Sequence, residues 1–254
     1  MNKLLMLKIK LLFLLLITLF NSCSDKESLN QVDKLNLDLL NSYNNVFDSG
    51  RKLMSIPKGL HELELHNVSQ EILFIAVHGN NSRGYEWIYP LNTINNSNNL
   101  ISFFRWNDNS CFNSSIKLLD NSIKDKLKKY KNIEKVILFG HSYGGILTAS
   151  LMDQWKSEIF LEVHTIAAPL KGLNNEVINC SYSTPIRVPN NSHLYEWRTI
   201  HELDGAFKNL EYDPQNVKIL GSNVKRLPEK YKKNRLGHNW SLSWVADYLI
   251  KKQQ

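Results

Sequence analysis

Residues Ile133 to Ala149 read IEKVILFGHSYGGILTA. Val136 to Phe139 is a short apolar, partly β-branched run of the kind that forms a strand buried on both faces, and from Gly145 to Met152 the spacing becomes helical. Between the two lies Gly140-His141-Ser142-Tyr143-Gly144, a G-x-S-x-G sequence with a strand before it and a helix after. Glycines at both ends allow a sharp turn that holds Ser142 in a strained position, its hydroxyl exposed at a helix N-terminus. A Gly-Ser-Gly turn is also ordinary loop chemistry; the strand and helix around it make Ser142 a candidate nucleophile.

The 254-residue chain is long enough for one α/β domain with a large core. With 43% hydrophobic and 22% charged residues and no repeat period, it reads as globular rather than fibrous or disordered. The first 22 residues differ from the rest. Lys3, Lys8 and Lys10 precede an apolar run, Leu11 to Phe20, that suits the h-region of a signal peptide and is too short for a mature membrane span. Phe20-Asn21-Ser22-Cys23 resembles the lipobox of bacterial lipoproteins, although Phe20 and Asn21 depart from the usual residues. The resemblance implies lipidation of Cys23 and attachment to a membrane of the bacterial cell envelope, with plain secretion as the alternative.

Loss of the three signal lysines takes the formal charge from +7 to +4. That excess is too mild for a nucleic-acid binder, and most of it lies in Lys225 to Arg235, KRLPEKYKKNR, which reads as a solvated loop. Apart from Cys23 the chain has Cys111 and Cys180, which are either a disulfide or two independent thiols.

The expected organisation is a signal peptide at 1–22, a tether at 23–28 and a single domain at 29–254. Apolar residues recur at three and four from Leu29 to Phe47, predicting one amphipathic helix with Gly50 beyond its end. Leu60–His66 and Gln70–Val77 are predicted strands, joined as a hairpin or sheet entry. A short helix over Gly84–Leu91, which Pro90 kinks or ends, precedes a strand at Leu100–Trp106 and a helix at Ser114–Tyr130. Further strands are expected at Ile159–Ala167, Tyr195–His201 and Val217–Leu220, and a terminal helix at Ser241–Lys251. Strands alternating with helices argue for a mostly parallel sheet covered on both sides. The segment 173–194 lacks steady periodicity and is a candidate lid.

A serine hydroxyl needs a base to take its proton and a carboxylate to fix the base's tautomer. Among the eight histidines, His238 combines a loop position after the last strand, a preceding glycine and a following helix. Asp204, before Gly205 at a strand's end, is the favoured acid, with Glu202 its rival two residues away. The N–H of Tyr143, directly after the serine, is one expected oxyanion donor. The N–H of Asn80, in the glycine turn that follows the apolar run Ile72–Val77, is the other. His78 is read as supporting that turn, and His164 as a hydrogen-bonded core residue.

With VHGNN, GHSYGG, HELDG and LGHNW in this order, the chain from Leu60 to the C-terminus resembles the α/β-hydrolase family. The resemblance implies a mostly parallel sheet of seven or eight strands flanked by helices, with the first strand missing or replaced by the N-terminal helix. Ala168-Pro169-Leu170-Lys171-Gly172 is similar to the segment after the sixth strand in the lipase and esterase branches. The implied activity is carboxylic-ester hydrolysis through an acyl-Ser142 intermediate, on a small-molecule or lipid acyl ester, with no metal or organic cofactor. Acyl transfer or thioester hydrolysis by the same residues, and a non-catalytic binding lipoprotein, remain alternatives.

Overall fold

The computed structural model describes residues 35–42, 45–172 and 180–253. The expected signal peptide, Cys23, the tether and residues 173–179 of the candidate lid lie outside them.

Seven strands form one sheet: β1 (Gly59–Glu62), β2 (Ile72–Val77), β3 (Asn99–Arg105), β4 (Lys135–His141), β5 (Phe160–Ile166), β6 (Ser192–Arg198) and β7 (Asn223–Arg226), in the order β1-β3-β2-β4-β5-β6-β7. Only β1 runs antiparallel, against β3; every other neighbouring pair is parallel. Leu73 to Val77 is buried without interruption, the pattern of a strand covered on both faces. In register, Val77 lies opposite Gly140, His141 opposite Ile166, and Ile166 opposite Trp197. The strands therefore end together, and the loops carrying the candidate chemistry all leave from one carboxyl edge.

Helices α3 (Tyr85–Ile94) and α6 (Trp240–Gln253) pack against one another on one side of the sheet. Helices α4 (Phe112–Lys129) and α5 (Tyr143–Asp153) lie together in the core cluster that contains Leu73, Val136 and Leu138. The other cluster gathers Phe74, Trp87, Phe139, Trp197 and Val245. Strand alternation thus feeds two separate apolar layers. Fully burying one such large side chain contributes roughly 1.5–3 kcal/mol.

The structure corrects several expectations. Residues 29–34 of the expected Leu29–Phe47 helix also lie outside the described residues; the described part holds two helices, α1 (Leu37–Ser42) and α2 (Val46–Ser55), and Asn45 caps the second by accepting the Asp48 N–H at 2.9 Å. Gly50 is inside α2, where a Cβ would come within 2.3 Å of the Tyr85 backbone nitrogen. β1 and β2 are not a hairpin, since β3 lies between them. α3 runs past Pro90 to Ile94. Strand β6 ends at Arg198, and His201–Leu203 is a 3-10 turn. The last strand of the seven-stranded sheet is Asn223–Arg226; Leu220 contributes only an isolated bridge to Arg187. The basic segment is no open loop: it contains part of β7 and a hairpin, β8 (Lys230–Tyr231) with β9 (Asn234–Arg235), turned by Lys232 and Lys233 at φ 46° and 66°.

The lower of the two expected strand counts holds, with α1 and α2 preceding β1. Cys111 and Cys180 are bonded across a separation of 69 residues, tying the chain after residue 179 to the start of α4. Closing a loop of that length constrains the unfolded chain by about 4 kcal/mol in the chain-entropy model. Tyr182 and Thr184 both donate to the Leu170 carbonyl, at 2.8 and 2.7 Å, so the described part of the candidate lid is fastened to the APLKG segment.

Candidate active site

Ser142 has φ 52° and ψ −123° between β4 and α5, the strained geometry that the two flanking glycines suggested. The turn is packed from every side. A Cβ on Gly144 would lie 2.2 Å from the Val77 carbonyl oxygen, one on Gly140 would lie 2.5 Å from Thr148 Oγ1, and one on Gly145 would lie 2.4 Å from Ala168 Cβ. On Gly79 it would lie 2.9 Å from the Ser142 Cβ, so the loop after β2 is directly against the serine. Glycine at these positions is a condition for the close approach.

His238 follows the β8–β9 hairpin and precedes α6. Its Nδ1–H donates to Asp204 Oδ2 at 3.0 Å, so that in the neutral form of the imidazole Nε2 is the nitrogen able to accept a proton. His238 and Ser142 line one cavity of about 120 Å³, together with Gly79 and Asn80. They are not hydrogen-bonded to each other, a separation common in ligand-free sites of this kind. Phe207 meets the imidazole edge-on at 5.0 Å, and Phe207 itself is fully buried.

Asp204 is fully buried. Burial by itself raises a carboxyl pKa. Here the His238 hydrogen bond and charge, the Thr199 hydroxyl at 2.5 Å and the Ala206 N–H at 2.8 Å outweigh it and hold the group below the ordinary value. Glu202 is exposed, on the 3-10 turn before Asp204. The structure therefore brings Asp204, and not Glu202, to His238, through a turn beyond the strand end instead of the strand end itself.

The Gly79–Asn81 loop is pinned by Asp108: its carbonyl accepts from Asn80 Nδ2 at 2.7 Å and its carboxylate from the Asn81 N–H at 2.8 Å. His78 braces it from beneath, with Nδ1 donating to the Gly79 carbonyl at 2.8 Å while Nε2 accepts from Arg105 and the Trp106 N–H. The Trp106 indole N–H donates to the His78 carbonyl at 2.8 Å. Tyr143 opens α5, and its ring meets Phe112 edge-on at 5.9 Å.

Three supporting residues were not assigned in the sequence. His141, which the motif places beside the serine, is buried, and its Nε2–H donates to the His238 carbonyl at 3.1 Å. Thr199 and Asp108 come from loops whose sequences carry no distinctive signal. His164 matches its reading as a core histidine, bonded to Glu162 at 2.8 Å and to the Trp197 N–H at 3.0 Å. Among the described residues no group of three or more His, Cys, Asp or Glu side chains is placed to hold a metal ion. No described helix is long and apolar enough to cross a membrane.

Burial lowers His141 to a pKa of about 3, helped by the His238 charge, and lowers His78 to about 4. Both are therefore neutral in the folded protein while their unfolded counterparts, near 6.5, take up protons. Stability from these groups is fully present above pH 6.5 and declines as pH falls toward about 4 for His78 and about 3 for His141. The contribution is about 3 kcal/mol for His78 and about 5 kcal/mol for His141. Thermal melts should be flat above neutrality and fall steadily below pH 6.5, and His141→Gln should flatten that slope. An unchanged slope in the variant would show that His141 is not held neutral.

The sheet order, the single antiparallel strand and the turn around Ser142 define an α/β-hydrolase fold. Est1E from Butyrivibrio proteoclasticus superposes with a TM-score of 0.52 at 13% identity, over 76% of this chain and 92% of that one. The same protein with ferulic acid bound gives 0.51 at 11% identity over the same shares. A lipase-esterase related protein from Clostridium acetobutylicum gives 0.49 at 12% identity, over 76% and 98%. No protein-family model and no curated protein matches the sequence.

Proposed function

We propose that this protein is a serine hydrolase that cleaves carboxylic esters. One observation carries the reading: His238, fixed by buried Asp204, lines the same small cavity as a serine held at φ 52° on a strand-to-helix turn. His238 Nε2 takes the Ser142 proton as Oγ attacks the ester carbonyl. The oxygen of the tetrahedral intermediate is met by the backbone N–H groups of Asn80 and Tyr143, each contributing roughly a hundredfold in rate. Collapse releases the alcohol, protonated by His238, and leaves an acyl-Ser142. Water, deprotonated by the same imidazole, then frees the acid. Incubation with short-chain esters should yield equal amounts of acid and alcohol; failure to turn over any ester or thioester would overturn the assignment.

We further propose export and lipidation at Cys23. The sequence around Cys23 supports this, as does the Cys111–Cys180 disulfide, a bond typical of oxidising compartments. In bacteria fed a radiolabelled fatty acid the full-length protein should become labelled, and Cys23→Ser should not. Equal labelling of both would exclude Cys23 as the anchor.

A further inference from the structure

Beside the catalytic cavity opens a second one of about 330 Å³, within the range of small-molecule sites, and Tyr85, Glu86 and Asn239 line both. Its remaining walls include Tyr89, Tyr231, Trp240 and Lys232. Two of these rings are held by one carboxylate: Asp247 accepts from the Tyr89 hydroxyl at 2.6 Å and from the Tyr231 hydroxyl at 2.7 Å. The Trp240 ring stands 5.7 Å from Tyr231 and remains 44% exposed. The β8–β9 hairpin, which carries Tyr231 and Lys232, thus builds an aromatic cleft that continues directly into the site of His238 and Ser142.

At the junction sits Glu86, only 8% exposed. One of its oxygens accepts from the Ser82 hydroxyl, and the other, Oε2, is buried without a partner. A buried acceptor with nothing to accept from is unfavourable in the free protein and is matched by a ligand that brings a donor. Asn239 adds an amide next to it, bonded to the Tyr85 hydroxyl at 3.2 Å.

These features select a ligand chemistry. Lys232 is already matched by Asp247 at 3.7 Å and by the Tyr89 hydroxyl at 3.0 Å, so it is poorly placed to recruit an anion. Its ammonium lies over the Tyr89 and Tyr231 rings, at 4.3 and 5.0 Å, the positions an organic cation would need. An alkyl chain would leave Glu86 Oε2 unpaired. A pyranose ring satisfies both requirements, with an apolar C–H face for the exposed indole and hydroxyl donors for the carboxyl oxygen.

We propose that this cleft binds a sugar ring as the alcohol part of the ester, so that the substrate is an O-acylated carbohydrate. The substrate assignment rests on the esterase reading of Ser142; the sugar site does not. Acetyl esters of a methyl pyranoside, benzyl alcohol and ethanol share one acyl group and separate the possibilities. The acetylated pyranoside should exceed ethyl acetate in kcat/KM at least tenfold, and Trp240→Ala and Glu86→Leu should each lower that ratio at least fivefold. A ratio unmoved by either variant, or benzyl acetate preferred to the pyranoside, would overturn the proposal.

Binding is read separately from turnover by titrating Ser142→Ala protein with methyl β-xyloside and methyl β-glucoside while following the Trp240 indole N–H by NMR. A saturable shift, lost in Glu86→Leu, supports the cleft even if no ester is cleaved. Ester turnover with no Trp240 shift for either glycoside refutes it and leaves the esterase intact.

Discussion

Replacing Ser142 with alanine is expected to lower kcat/KM for any ester substrate by roughly 10⁴- to 10⁶-fold without loss of the fold. The expectation follows from two properties of the turn. Ser142 is strained by its φ of 52°, but that strain belongs to any residue with a Cβ, so alanine adds none. The turn is fixed by its backbone, with the Ser142 N–H donating to the Ile166 carbonyl at 2.9 Å and the Ser142 carbonyl accepting from the Gly145 N–H at 2.9 Å. The variant should therefore keep the melting temperature within a few degrees and retain the Asn80 and Tyr143 N–H groups, the proposed oxyanion donors, so that a residual rate above water is expected. Steady-state kinetics beside a thermal melt check both halves. Activity within tenfold of wild type would remove Ser142 from the mechanism.

Asp204→Asn should cost about 10⁴-fold in kcat, while Glu202→Gln should change it less than twofold. A carboxylate accepts from three donors here: His238 Nδ1–H, the Thr199 hydroxyl and the Ala206 N–H. An amide has one oxygen. If that oxygen keeps Thr199 or Ala206, the amide NH₂ faces His238 Nδ1 and favours the tautomer with its proton on Nε2, where it cannot accept from Ser142. The imidazolium formed during attack also loses its buried counter-charge. Glu202 is exposed, so its neutralisation alters no hydrogen bond in the site. Comparable losses in both variants would mean that the acid assignment is wrong.

The fold was legible where apolar periodicity carried it. Leu73–Val77 is buried without interruption and Val136–Phe139 is buried except for the half-buried Ile137, and both announce themselves as unbroken apolar runs; Leu100–Phe104 is buried throughout with a single serine in its run. The edges were harder to read. Asn223–Arg226 is polar and largely exposed, so nothing in its composition separates it from a loop, whereas the more apolar Val217–Leu220 makes only one bridge. Likewise the basic run that forms the β8–β9 hairpin owes its turn to two lysines at positive φ, where glycine or asparagine would have marked it.

The site followed the same division. Ser142, His238 and Asp204 could be named as candidates because the roles proposed for them require particular residue types beside glycine turns. Their supports come from distant segments: His141 reaches the carbonyl of a residue 97 positions away, and Asp108 holds a loop 27 positions before it. Glu86 escaped notice because an acidic residue in the first turn of a helix is ordinary. Only its burial and its unpartnered oxygen distinguish it.

The central claim is that Ser142 is a nucleophile activated by His238, and covalent labelling tests it most directly. Wild-type protein treated with a fluorophosphonate should gain one adduct in its intact mass, mapped by peptide sequencing to Ser142, and His238→Ala should label far more slowly. An unchanged mass in folded wild-type protein, or an adduct on another residue that persists in Ser142→Ala, would contradict the account.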